Sequence, residues 1–305
     1  MAQFTGIIPP VVTPLTPEGE IDFEGLDDVV EHLVAGGVNG LFVMGSTGEV
    51  AYWTNDQRVA ILERIVAKNA GRVPVIGGAI ETTSARVIEQ AQAMQAAGAD
   101  AIVTTCPFYA INDQQEIADH FRAVAAAIDV PLFAYDVPVR LNGVKLDHQM
   151  LVQLGKEGVI VGVKDSSGDD VGFRRLVAAN AAAGSPLVLL TGHECVVDGM
   201  LLLGADGVVP GYANVDPVRY RDLWRASQDR DWEKAREIQD EICAGFEIVF
   251  VPKGRSGDAA GVGAFKTAMQ ALGIIRSNQM AFPVQALGGE VSDKIGTIVA
   301  EVIRA

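Results

Sequence analysis

Residues 159–168 read VIVGVKDSSG. Five apolar or glycine residues, as in a strand buried on both faces, lead to Lys164, with Asp165, Ser166 and Ser167 behind it. Two readings fit a lysine there. Its stem can lie along the strand end with the ammonium in water. Alternatively, an amine partly withdrawn from water gives up its proton more readily and attacks a carbonyl carbon. Other stretches bear on the choice. GSTGE at 45–49 sets two hydroxyls between glycines, so that backbone N–H groups can approach a carboxylate or phosphate. CPFYA at 106–110 carries Tyr109, and AYDVPVR at 134–140 carries Tyr135 and Arg140. TGHE at 191–194 and VVPGYAN at 208–214 close two further apolar runs.

Singly, each has an ordinary explanation: a turn, a hydrogen-bonded core tyrosine, a solvated surface arginine. Together they supply what Schiff-base chemistry on a 2-oxo acid requires. The amine attacks the keto carbon, and the protonated imine becomes an electron sink. The phenol relays protons, the hydroxyl loop binds the carboxylate, and an arginine can hold a carboxylate in bidentate fashion. This requires that all of them reach one place.

The order of elements says how they would. Apolar runs at 6–14, 40–45, 73–78, 101–106, 131–136, 159–164, 187–192 and 206–211 read as strands. Amphipathic stretches at 23–37, 55–71, 84–99 and 115–128 read as helices, opened by the cap residues Asp22, Thr54, Ser84 and Asp113. Apolar strands alternating with helices imply a parallel sheet covered by helices. Eight strands, with no G-x-G-x-x-G after the first, favour a (β/α)8 barrel over an open doubly wound sheet. The motifs then all fall at the C-terminal ends of strands, where a barrel keeps its chemistry. Residues 1–215 form the expected barrel core. Residues 216–305 supply the last barrel helix and a C-terminal helical extension, in one unit with it. GDAAGVGAFKT at 257–267 resembles a phosphate loop only superficially: Phe265 stands where that motif needs glycine before Lys266.

Bulk properties narrow the partners. The 305 residues are 49% hydrophobic and 21% charged, enough for a large core. A net charge of −15 disfavours nucleic acid and anionic membranes. Three dispersed cysteines and four dispersed histidines suggest reduced thiols in a cytoplasmic protein and no metal centre. The N-terminal stretch lacks a basic region and is broken by prolines, so neither a signal peptide nor a membrane span is expected.

GSTGE (45–49), YDVP (135–138) and GVKDSSG (162–168), in this order, resemble the dihydrodipicolinate synthase/N-acetylneuraminate lyase family of pyruvate-dependent class I aldolases. The similarity runs from FTGIIPPVVTPL to the tail GAFKTAMQALGI. It implies a catalytic set of Lys164 as imine-forming lysine, Tyr135 as proton carrier, Thr47, and Tyr109 as the tyrosine that reaches a neighbouring subunit's site. The implied binding set is Ser46, Thr47, Arg140, Ser166, Gly192, His193, Glu194 and Val209. Substrates would be a 2-oxo acid and an aldehyde, with no cofactor beyond the imine on Lys164, in a homotetramer built as a dimer of dimers.

Serine first in GSTGE is similar to the lyase branch, making N-acetylneuraminate cleavage the expected reaction. Two features depart from that branch. Gly192-His193-Glu194 replaces its Gly-Asp-Glu, and Gly211 stands where a sugar-contacting serine is usual. Arg140 matches the carboxylate-binding arginine of the synthases, so condensation of pyruvate with aspartate semialdehyde is the alternative. Ile80, Ser84 and the lack of histidines in YWTNDQR argue against lysine feedback. A barrel that binds keto acids without turnover is a third reading, but it would need a broken catalytic set. Asp136 replaces the usual asparagine of YN(V/I)P.

Overall fold

The computed structural model describes residues 4–303. Eight parallel strands, each followed by a helix-bearing connection, make one sheet in the order β1-β8-β7-β6-β5-β4-β3-β2. They are β1 (Gly6–Ile7), β2 (Leu41–Val43), β3 (Val75–Gly78), β4 (Ala101–Thr104), β5 (Leu132–Asp136), β6 (Gly162–Asp165), β7 (Val188–Thr191) and β8 (Gly207–Val208). The barrel helices are α1 (Phe23–Gly36), α2 (Asn55–Asn69), α3 (Ser84–Ala96), α4 (Gln114–Ala125), α5 (His148–Lys156), α6 (Asp170–Ala182), α7 (Val197–Leu203) and α8 (Pro217–Gln228). Beyond them lie α9 (Trp232–Phe246), α10 (Gly257–Ala260), α11 (Val262–Leu272) and α12 (Gly289–Val302). The fold is the (β/α)8 barrel with C-terminal helices.

The strand expected over 6–14 pairs regularly only at Gly6–Ile7, because Pro9 and Pro10 have no N–H to donate. Carbonyls still serve. Phe42 N donates to Pro9 O at 3.0 Å and Val11 N to Phe42 O at 2.8 Å, which closes the barrel between β1 and β2. Three expected caps are found, with Asp22, Thr54 and Asp113 accepting from first-turn N–H groups. The fourth moves by one residue: Thr83 caps α3. Ser84 instead meets His120 Nδ1 at 2.9 Å, and burial pushes that imidazole down to about 4. Every residue of β2–β7 is buried, as expected of strands covered on both faces.

One fully buried ion pair helps bind the extension to the barrel. Lys266 of α11 donates to the Glu49 carboxylate, and neither side chain is more than 1% exposed. The same lysine reaches Gln279 O at 3.0 Å, and Ala281 N donates to the other Glu49 oxygen at 2.9 Å. The glycine-rich approach to α11 is therefore the start of a helix whose lysine is structural. Breaking such a pair costs about 3–5 kcal/mol, since the remaining charge stays buried.

Candidate active site

The side chains at the barrel mouth follow from strand register. Tyr135 of β5 pairs with Lys164 of β6, so both project to the same, inner face. Phe133 and Gly162, two residues earlier, share that face. A Cβ on Gly162 would lie 2.4 Å from the Phe133 ring, so glycine there lets the ring pack beneath the amine. Lys164 is 6% exposed, with Nζ 4.1 Å from the Tyr135 ring centroid and 4.8 Å from that of Phe42. The two rings meet edge-on at 6.1 Å. Below them a cavity of about 10 Å³ touches Lys164 and Val209. Among the described residues no carboxylate pairs with this amine.

Tyr135 gathers the other polar groups. Burial raises its phenol, but the Lys164 charge and hydrogen bonds with Ser46, Lys164 and Ser166 outweigh this and hold it below its ordinary value. A phenol so placed can pass a proton between the amine and a hydroxyl.

The 45–49 loop is held in an unusual shape. Met44, just before it, and Glu49, its last residue, have φ of 60° and 59°, in the left-handed region. Thr13 Oγ1 and Trp53 Nε1 each donate to Gly48 O at 3.0 Å, and the Glu49–Lys266 pair anchors the far end. Among the described residues the N–H groups of Ser46 and Thr47 find no acceptor. Both residues are half-buried at the mouth, where an anion can take these donors.

A cavity of about 160 Å³ runs outward from Ser46 and Tyr135 to Tyr52, Arg140 and Asp258. Arg140 donates to Asp258, and Tyr52 OH donates to the other Asp258 oxygen at 3.0 Å. The Asp258 hydrogen bond raises the Arg140 guanidinium further, so it stays charged. Sequence reasoning missed Tyr52 and Asp258. Asp258 lies 118 residues from Arg140, and no local pattern links them.

Other expected residues sit differently. Glu194 belongs to the expected binding set. Its carboxylate instead accepts from Gly211 N at 2.6 Å, Tyr212 N at 3.3 Å and Tyr220 OH at 2.8 Å. Burial raises it to about 7 against these donors. Gly211 has no room for a larger residue: a Cβ would stand 2.7 Å from Phe265 and 3.1 Å from Glu194 Oε1. His193 Nε2 lies 2.8 Å from Asp170 Oδ1 on the rim, tied to α6. Gly192 N donates to Asp165 O at 2.6 Å, and a Cβ there would overlap Ser166 Oγ, so the glycine gives that hydroxyl its place. Tyr109 is 91% exposed at φ 76° and is not among the residues lining this cavity. Asp136 faces outward. Lys145 bridges it to Asp165, and burial still pushes Asp136 up to about 6.

A parallel barrel whose mouth joins a buried, unpaired lysine to a phenol and a hydroxyl loop is built as a class I aldolase is built. The family model described as the dihydrodipicolinate synthetase family matches residues 3–302, and the chain belongs to that family of pyruvate-dependent aldolases. It is 34% identical over 242 residues to the 4-hydroxy-tetrahydrodipicolinate synthase of Phenylobacterium zucineum, covering 79% of this chain and 80% of that one. With the enzyme of the same name from Porphyromonas gingivalis it shares 30% over 302 residues, 99% and 97% of the two chains. Among solved structures, YagE, a prophage protein of the dihydrodipicolinic acid synthase family from E. coli K12 in complex with pyruvate, superposes with a TM-score of 0.91. Identity there is 28%, with 98% of each chain covered. CdNal from Clostridium difficile in complex with mannosamine shares the fold, with a TM-score of 0.87 at 22% identity and coverage of 98% and 99%. No helix among the described residues is long and apolar enough to cross a membrane.

Proposed function

We propose that Lys164 forms an imine with pyruvate and that the resulting enamine adds through its methyl-derived carbon to the carbonyl of a short aldehyde. The observation that carries this is the buried Lys164 amine, free of any carboxylate partner, against the Tyr135 phenol that Ser46 also bonds. The amine adds to the keto carbon and water leaves. Tyr135 takes and returns protons, while the N–H and hydroxyl groups of Ser46 and Thr47 hold the pyruvate carboxylate. The imine is itself the electron sink, and the reaction calls for no further cofactor.

For the aldehyde half, condensation with aspartate semialdehyde has more support than cleavage of N-acetylneuraminate. The relatives at 30% identity and above carry the synthase name, and Arg140 lines the outer cavity. The groups available to a long polyol are few: Glu194 is engaged by three donors and His193 by Asp170, and packing at Gly211 leaves no room for the serine of the lyase branch. Exposed Tyr109, with Ile111 and Val139 at 76% and 86% exposure, supports an oligomer in which Tyr109 completes a neighbour's site.

Borohydride added with pyruvate should fix a mass increment on the Lys164 peptide, and Lys164→Ala should take none. Absence of label on the wild-type chain would end this reading.

A further inference from the structure

The outer end of the cavity carries two opposite charges side by side. Arg140 comes from the 3-10 turn after β5 (Pro138–Arg140), Tyr52 from the 3-10 turn after β2 (Val50–Tyr52), and Asp258 from α10 of the extension. Three segments far apart in the chain thus converge on one carboxylate. The Asp258 side chain is 16% exposed and that of Arg140 47%, so the acid is the more deeply set. Each Asp258 oxygen accepts one bond, from Arg140 and from Tyr52, whereas a carboxylate offers about four acceptor positions. Arg140 uses one terminal nitrogen on Asp258, leaving other donors of its fork for a ligand.

A lone arginine here would select a plain carboxylate. The pair selects otherwise. An anion gains at Arg140 and is repelled at Asp258, whereas a zwitterion places an ammonium beside Asp258 and a carboxylate beside Arg140. We propose that Asp258 is a specificity-determining residue that receives the ammonium of an aldehyde bearing an α-amino-acid head, with Tyr52 orienting the acid. This rests on the Lys164 imine reading and specifies the second substrate of the same site.

The test compares two aldehydes, L-aspartate semialdehyde and succinate semialdehyde, which differ by the amino group. For the wild type, kcat/KM should favour the amino form by on the order of tenfold, the scale of one charge-assisted contact in a half-exposed site. In Asp258→Asn the ratio should fall to near one, mostly through KM for the amino aldehyde. Where Asp258→Asn does not fold, Asp258→Ser replaces it, because a wild-type preference alone does not assign the ammonium to Asp258. Equal use of the two aldehydes by wild type, or a ratio unchanged in Asp258→Asn, would overturn the proposal. So would turnover confined to uncharged hydroxyaldehydes. If wild type gives no borohydride-trapped pyruvate, the imine reading itself fails, a separate and recognisable outcome.

Discussion

Lys164 and Lys266 are both buried, at 6% and 0% exposure, and only their surroundings tell them apart. Around Lys266 the chain supplies a carboxylate and a carbonyl, so the ammonium has partners and fixes α11 against the 45–49 loop. Burial still holds it below its ordinary value, with Glu49 opposing. Around Lys164 the chain supplies two aromatic rings, one of them the Tyr135 phenol, and no carboxylate partner among the described residues. A buried amine with a counter-ion is a strut, while one left without is open to a carbonyl carbon. The two are also linked. Glu49 ends the loop whose hydroxyl reaches Tyr135, so the strut helps place the loop's donors beside Lys164.

Four measurements would break or sharpen this contrast. Removing the nucleophile should have the largest effect: Lys164→Ala should lower turnover by at least about 10⁴-fold, as loss of a covalent nucleophile does. Loss of activity at Lys266→Ala with Lys164→Ala still active would reverse the two roles. Tyr135→Phe removes the proton carrier and should cost about 10²–10⁴ in kcat, with pyruvate trapping slowed alongside. Trapping at the wild-type rate would place the proton work elsewhere.

The strut should show in stability. Lys266→Met leaves Glu49 buried without its cation and should lower unfolding free energy by about 3–5 kcal/mol in denaturant titration. A second change, Glu49→Leu, should recover part of this if the pair is structural, and a fully additive double variant would argue against direct coupling.

The smallest effect concerns Glu194, the acid that feels the Lys164 charge without bonding to it. Its folded value of about 7 lies above its ordinary 4.5, so between these the folded chain holds a proton that the unfolded chain has released. The group's stabilising share is full below the lower value and is lost as pH rises through the upper one. Glu194→Gln should remove that slope, up to about 3 kcal/mol at about 1.4 kcal/mol per tenfold change. A strongly altered trapping rate in this variant would mean that Lys164 has a carboxylate partner after all.

Much of the site was legible because its residues sit at the ends of strands. GVKDSSG and YDVP announce where β6 and β5 stop, and parallel register does the rest, setting Lys164 against Tyr135. Asp22, Thr54 and Asp113 were readable as caps for the same reason: the chemistry is confined to three or four neighbouring residues. Ser84 was misjudged by one place because Thr83 and Ser84 are equally good caps, and only the nearby His120 decides which hydroxyl is free to serve. Glu194 reads as a ligand-facing acid because it stands beside a strand end, and the donors its carboxylate already holds were not legible there. Its partners Tyr220 and the Gly211 and Tyr212 amides come from β8's loop and α8.

The sequence by itself determined the barrel, through eight apolar runs spaced by amphipathic helices, and the amine and phenol at its mouth, through the order of motifs that end strands. These rest on periodicity and on local hydrogen bonds, which neighbouring residues dictate. Only the tertiary structure decided which buried lysine has a counter-ion, which carboxylate already has its donors, and that Asp258 stands beside Arg140. Those outcomes depend on which distant side chains share a few ångströms of low-dielectric space, and nothing in the local pattern of either segment encodes the other.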